Sequence, residues 1–195
     1  MTPAGFLRAR AREGAGFRAG VLGDARAAAA GLMLPKRERS RLGEWGLVVR
    51  LCWEADAFLA LLLVRLGTAF RARGIPFLPT LCRRLAITLA QVHIGAPVML
   101  APGIYLPHGL VVIDGLVSIG PGTSIRPFVT IGLKEGELRG PTIGARVMIG
   151  TGAKILGPIT VGDGARIGAN AVVVNDVPAG ATVVGMPAKA VGVAD

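Results

Sequence analysis

Aliphatic residues recur every six positions through the second half of the chain. They run Ile94, Leu100, Leu106 and Val112, then Ile119, Ile125 and Ile131, then Ile143, Ile149, Ile155, Val161, Ile167 and Val173. The next position is usually small (Gly95, Ala101, Gly120, Gly132, Gly144, Gly150, Gly162, Gly168), and the fifth is small or aliphatic or β-branched (Val98, Ile104, Thr123, Val129, Val147, Ala153, Ile159, Ala165, Ala171). A six-residue period fits neither a helix nor an alternating strand. It predicts hexapeptide repeats wound into a parallel β-helix of roughly five turns, with one aliphatic per flat face and a small residue at each corner. Each turn leaves its edge groups to the next, so stacking supplies the hydrogen bonds.

Two irregularities interrupt the period. Val112 to Ile119 spans seven residues, which predicts a slip immediately after His108. Residues 133–142 lack the hexad pattern and carry four charges, which predicts a loop thrown out from the coil, where function tends to sit. Residues 1–92 read as helical instead. Ala25 to Ala30 is rich in helix formers, and Glu44 to Arg73 has apolar residues at helical spacing. Gly74-Ile75-Pro76 ends that helix, and Pro79-Thr80 opens another that runs to about Ala90. The basic run from Lys36 to Arg41, after Pro35, is expected to be an exposed connection, and the first fifteen residues are expected to be loose.

Composition agrees with a narrow core: 29 glycines among 195 residues, and only 5% aromatics. With 52% hydrophobic and 17% charged residues, disorder over the whole chain is excluded. Cys52 and Cys82 build no disulfide framework and fit no zinc spacing, so a reduced, cytoplasmic setting is expected. Only two histidines, His93 and His108, are present, so an all-histidine metal centre within one chain is excluded and no metal is expected.

The net charge of +10 is unevenly spread: +6 over residues 1–50, +3 over 51–90 and +1 over the rest. The basic half leaves contact with an anionic membrane face open, although solvated helix surface is the simpler account, and nucleic acid is not an expected partner. The longest strongly apolar run, Ala57 to Val64, is far short of a membrane span, and no secretory signal is expected at the start.

The wording of particular segments narrows the reading. Ile104-Tyr105-Leu106-Pro107-His108, Val129-Thr130-Ile131-Gly132, Pro141-Thr142-Ile143-Gly144, Gly150 to Gly157 and Val183 to Lys189 together resemble the serine acetyltransferase family. The likeness extends into the helical lead-in, over about residues 55–190. It implies an α+β fold, with a helical region over 1–92 followed by a left-handed parallel β-helix over 93–195. It implies transfer of acetyl from acetyl-CoA to the hydroxyl of a small polar acceptor, L-serine or a sugar or other metabolite. The site would lie between subunits of a homotrimer or a dimer of trimers. The rival reading is an inactive scaffold or partner-binding module.

By the same resemblance His108 falls on the catalytic histidine, and the chemistry needs such a group. A hydroxyl attacks a thioester well only when a base near neutral pKa takes its proton. Backbone amides at Gly132 and Leu133 are the implied oxyanion donors. Arg139 and His93 are the implied acceptor contacts, and Gly152, Ala153, Lys154, Ala171 and Lys189 the implied contacts to CoA. The chain departs from the family on the acceptor side. Pro107 stands where an acidic residue is common, and His93 where an aspartate orients the imidazole. Gly140 replaces a second histidine that helps hold the serine carboxylate, so returning a histidine to position 140 is expected to improve serine use.

Overall fold

The computed structural model describes residues 16–55 and 57–191, the side chains of 36–42 excepted. Strands of two to five residues make up the second half: β1 (Val92–Ile94), β2 (Met99–Leu100), β3 (Val111–Ile113), β4 (Leu116–Ile119), β5 (Ser124–Ile125), β6 (Thr130–Gly132), β7 (Arg139–Ile143), β8 (Met148–Ile149), β9 (Lys154–Leu156), β10 (Thr160–Val161), β11 (Arg166–Ile167), β12 (Val172–Val173), β13 (Thr182–Val184) and β14 (Lys189–Ala190). They stack into three sheets, with orders β1-β3-β6-β9-β12, β2-β4-β7-β10 and β5-β8-β11-β13-β14. The chain visits the first, second and third sheet in rotation, so neighbours within a sheet are one turn of a coil apart. All pairings are parallel except β13 with β14.

The six-residue period follows from this winding. Ile94, Ile113, Ile131, Ile155 and Val173 stack inside the first sheet, Leu100, Ile119, Ile143 and Val161 inside the second, and Ile125, Ile149, Ile167 and Val183 inside the third. None is more than 5% exposed. The fifth hexad position also points inward, from Val98 to Ala171, and Thr123 there donates its hydroxyl hydrogen to the Gly144 carbonyl. Val112 breaks the expected register: it is 44% exposed, while Val111 and Ile113 are fully buried. β3 pairs with β1 so that Val111 faces Val92 and Ile113 faces Ile94. The extra residue therefore lies before β3, in the segment holding His108, where the sequence expectation puts the slip; what changes is that Ile113, and not Val112, is the inward aliphatic. The outward loop is also shorter than expected, because β7 begins at Arg139 and leaves residues 133–138 outside the ladder.

Among the described residues four helices precede the coil: α1 (Phe17–Gly31), α2 (Lys36–Glu54), α3 (Phe58–Ala72) and α4 (Leu78–Ala90). The helix expected over Glu44 to Arg73 is two, because Ala55 is extended and parts α2 from α3. The basic run after Pro35 opens α2 and is not a connection; a kink at Gly43, φ 64°, follows it. The expectation for the first fifteen residues lies outside the described residues. Val21, Ala25 and Ala28 of α1 pack on Leu47, Val48 and Leu51 of α2 and on Phe58. Ala57, Ala60, Leu61 and Ala86 join the coil's own core.

A buried ion pair ties these two parts together. Asp24 on α1 is 1% exposed and takes Arg65 of α3 in bidentate fashion, at 2.9 and 3.1 Å. Arg65 also donates to the carbonyls of Leu100 and Ala101, and Asp24 Oδ1 accepts the amides of Gly103 and Ile104. Two helices thus clamp the first turn of the coil. Burial pushes the Asp24 carboxyl above its usual range, while Arg65 and the two amides pull it back down. Each of those polar neighbours is a donor, which is the surrounding of a carboxylate.

Both α2 and α4 leave apolar faces uncovered. Trp45, Val49 and Trp53 project at four-residue spacing from α2, with Trp53 92% exposed; Leu78, Leu81, Leu85 and Leu89 line one side of α4.

Candidate active site

His108 sits where the third sheet hands over to the first, on the exposed surface between Leu106 and β3. The C-terminus of α4 holds this segment. The amides of Leu110 and Val111 donate to Ala90 and Gln91 at 3.1 and 3.2 Å. A Cβ at Gly109 would collide with the Ala90 carbonyl oxygen, so only glycine allows this approach. From the opposite side Tyr105 packs its ring on Gly31, at the end of α1, where any Cβ would overlap it. The histidine thus projects from a backbone gripped by two helices and one added residue, which fixes its position without burying it.

The sequence-derived residues divide between two edges of the first sheet. Gly152, Ala153, Lys154 and Ala171 share the edge of His108, where the third sheet passes into the first. Gly152 has φ 75°, and the methyls of Ala153 and Ala171 are fully buried, so only their backbone can meet a ligand. Lys154 donates from Nζ to the Phe128 carbonyl at 2.7 Å. His93 is half-buried on the outer side of β1, beside Val112 in register. Lys189 lies further off, on exposed β14.

Gly132, Leu133 and Arg139 occupy the opposite edge, where the first sheet gives way to the loop and then to the second sheet. Gly132 stands inside the ladder, in register with Leu156, whereas Leu133 lies past the end of β6 with its side chain against Gly115. Arg139 is exposed at the start of β7. The two edges are separated by the width of a three-residue strand, about 10 Å.

Gly140 points inward. A Cβ there would lie 2.6 Å from Cγ2 of the fully buried Val117. Contrary to the sequence expectation, histidine at 140 has no route to the surface without displacing the core. Gly140→His is expected to destabilise the protein by about 1–3 kcal/mol and to bring no gain in serine turnover. Urea unfolding with steady-state kinetics on the same preparation checks both.

The repeat and the three-sheet coil define the class: a hexapeptide-repeat acyltransferase. The six-repeat pattern of bacterial hexapeptide transferases matches residues 140–175. A serine acetyltransferase of Helicobacter pylori strain J99 is 44% identical over 138 residues, which is 68% of this chain and 79% of that protein. One from Synechococcus elongatus is 37% identical over 157 residues, 79% of this chain and 64% of that protein. The crystal structure of Neisseria gonorrhoeae serine acetyltransferase in complex with serine superposes with a TM-score of 0.75 at 29% identity, covering 95% of this chain and 73% of that one. The chain belongs to the serine acetyltransferase family.

Sequence reasoning missed two features. The Asp24–Arg65 pair joins residues 41 positions apart, and nothing local marks either as a partner. Phe128, at φ 63° and 57% exposed, gave a weaker signal: an aromatic in a corner place that glycine or asparagine fills one and two turns further on.

Proposed function

We propose that this chain is an acetyl-CoA:L-serine O-acetyltransferase, built as a left-handed β-helix (residues 93–195) behind a helical region (1–92). His108 is the general base. Its imidazole takes the proton of the acceptor hydroxyl as the oxygen attacks the thioester carbonyl. The resulting oxyanion is met by a backbone amide, that of Leu133 being the better candidate because it stands outside the ladder. Collapse breaks the carbon–sulfur bond, and the departing thiolate recovers the proton from the imidazolium.

The observation that carries this reading is the common edge of His108 and the Gly152–Lys154 corner, on a chain whose relatives are serine acetyltransferases. CoA would run along that edge, with Lys189 as a phosphate contact. Arg139 would hold the acceptor carboxylate, and His93 would flank the acceptor from the turn below. Because Arg139 and Leu133 lie across the sheet from His108, a neighbouring copy must supply them, in a homotrimer or a dimer of trimers. The uncovered faces of α2 and α4 support such association.

One observation favours a different hydroxyl acceptor. Gly140 supplies no side-chain donor to a carboxylate, which removes a charge-assisted contact of about 1.5–3 kcal/mol. Serine binding is then expected to be roughly ten- to two-hundredfold weaker than in a relative that has both contacts. Thiol release from acetyl-CoA, measured with serine, homoserine, threonine and several sugars, decides the matter. Turnover with serine above the acceptor-free rate is expected. Preference for a sugar establishes the second acceptor class, and no turnover with any of them overturns the transferase reading.

A further inference from the structure

A row of left-handed backbone positions climbs the corner where the third sheet passes into the first. It consists of Leu110 (φ 62°), Phe128 (63°), Gly152 (75°) and Asn170 (55°). Hydrogen bonds run up the row, from the Phe128 amide to Leu110 at 2.7 Å, from Gly152 to Pro127 and from Asn170 to Thr151. The corner between the second and third sheets makes the same turn with Gly103, Gly122, Arg146, Gly164 and Gly180. Glycine is the low-strain solution there, and asparagine is tolerated. A bulky apolar residue at such φ is an outlier. Among the described residues the coil carries two, Leu110 and Phe128, in the same turn as His108 and in the next.

Nothing in the packing calls for the ring of Phe128, which is 57% exposed. Its backbone is nonetheless held on both sides, by Leu110 and by the Lys154 ammonium on its carbonyl. Strain that persists at an exposed position beside a reactive group points to a ligand. The surroundings say which kind. Leu110, one turn before it in the row, and the half-exposed Val112 are apolar, and Gly152, one turn further, is buried under the Asn170 side chain and adds no side chain of its own. Successive turns are about 4.8 Å apart, so an extended methylene chain lying along the outside of this row can end on the ring at the level of His108. The ring itself offers neither a donor nor an acceptor to the amino and carboxylate groups of an amino-acid acceptor.

We propose that Phe128 is a donor-binding residue, its ring seating the pantetheine arm of acetyl-CoA next to His108. This rests on the acetyltransferase reading above. The test uses CoA itself, titrated calorimetrically into the intact protein and into Phe128→Asn and Phe128→Tyr. Asparagine accepts this turn, as Asn170 does, but lacks the ring. Wild type is expected to bind CoA, Phe128→Tyr to stay within about threefold, and Phe128→Asn to bind roughly ten- to thirtyfold more weakly, with a melting temperature no lower than wild type. KM for acetyl-CoA should rise by the same factor while that for the acceptor stays put. Equal CoA binding by Phe128→Asn overturns the proposal alone, as does weaker binding accompanied by a lower melting temperature. If wild type binds no CoA, the donor reading itself fails and this proposal with it.

Discussion

Replacing His108 with alanine is expected to lower turnover by roughly 10²–10⁴-fold, the range supplied by a positioned general base. In barrier terms that is about 3–5 kcal/mol. The fold should be untouched, because the side chain is exposed and the segment is held by backbone contacts to Ala90 and Gln91. Unchanged thermal unfolding alongside the lost rate separates chemistry from collapse. The same variant tests the assembly. If Arg139 of one copy serves His108 of another, co-expressed His108→Ala and Arg139→Ala chains form mixed oligomers in which some sites keep both residues. Activity above that of either variant alone is expected; a sum no greater than the two would confine each site to one chain.

Asp24→Ala is expected to cost about 3–5 kcal/mol of stability, the penalty for leaving a buried charge without its partner. Buried ion pairs can often be exchanged for apolar side chains of similar volume with little loss. Here the pair cannot. Arg65 also satisfies the carbonyls of Leu100 and Ala101, and Asp24 the amides of Gly103 and Ile104. A double Asp24→Leu, Arg65→Met variant would strand four backbone groups, so it too should be destabilised by several kcal/mol, at about 1–3 kcal/mol per group. Urea unfolding at fixed protein concentration compares the three proteins; a double variant as stable as wild type would refute the clamp. The pH dependence has a definite sign. With the Asp24 pKa raised, the native state binds more protons than the unfolded state just above pH 3.8. Stability from this group therefore falls as pH rises through that window and is level above it.

The coil was legible because its constraint is local and repeated. One inward aliphatic per face, six residues apart, survives in sequence from Ile94 to Val173. The error at Val112 shows the limit. Val111, Val112 and Ile113 are all aliphatic, so periodicity alone could not choose among them; pairing with Val92 and Ile94 did. The helical part was less legible for a related reason. No glycine or proline marks the break at Ala55, and the start of α2 at Lys36 is charged and lacks the apolar stripe that signals a helix. At the candidate site the motif around His108 is local and readable in sequence, whereas the division of the other residues between two edges depends on the winding. The inward aim of Gly140 depends on its neighbour Val117.

The last strand of the third sheet has a bearing on solubility. A parallel coil is an unfinished template, since each turn offers its amides and carbonyls to whatever lies next, and a second coil stacked end-on would extend it without limit. β14 turns back to run antiparallel along β13, with both of its residues exposed and Lys189 placing a charge at the rim. At the other end α4 lies across the approach to β1, its Ala86 in the coil core and its Ala90 bound to the following turn. Strand addition is therefore blocked at the last rim of the third sheet and at the first rim of the first sheet, so a second coil set end-on cannot simply continue those two ladders.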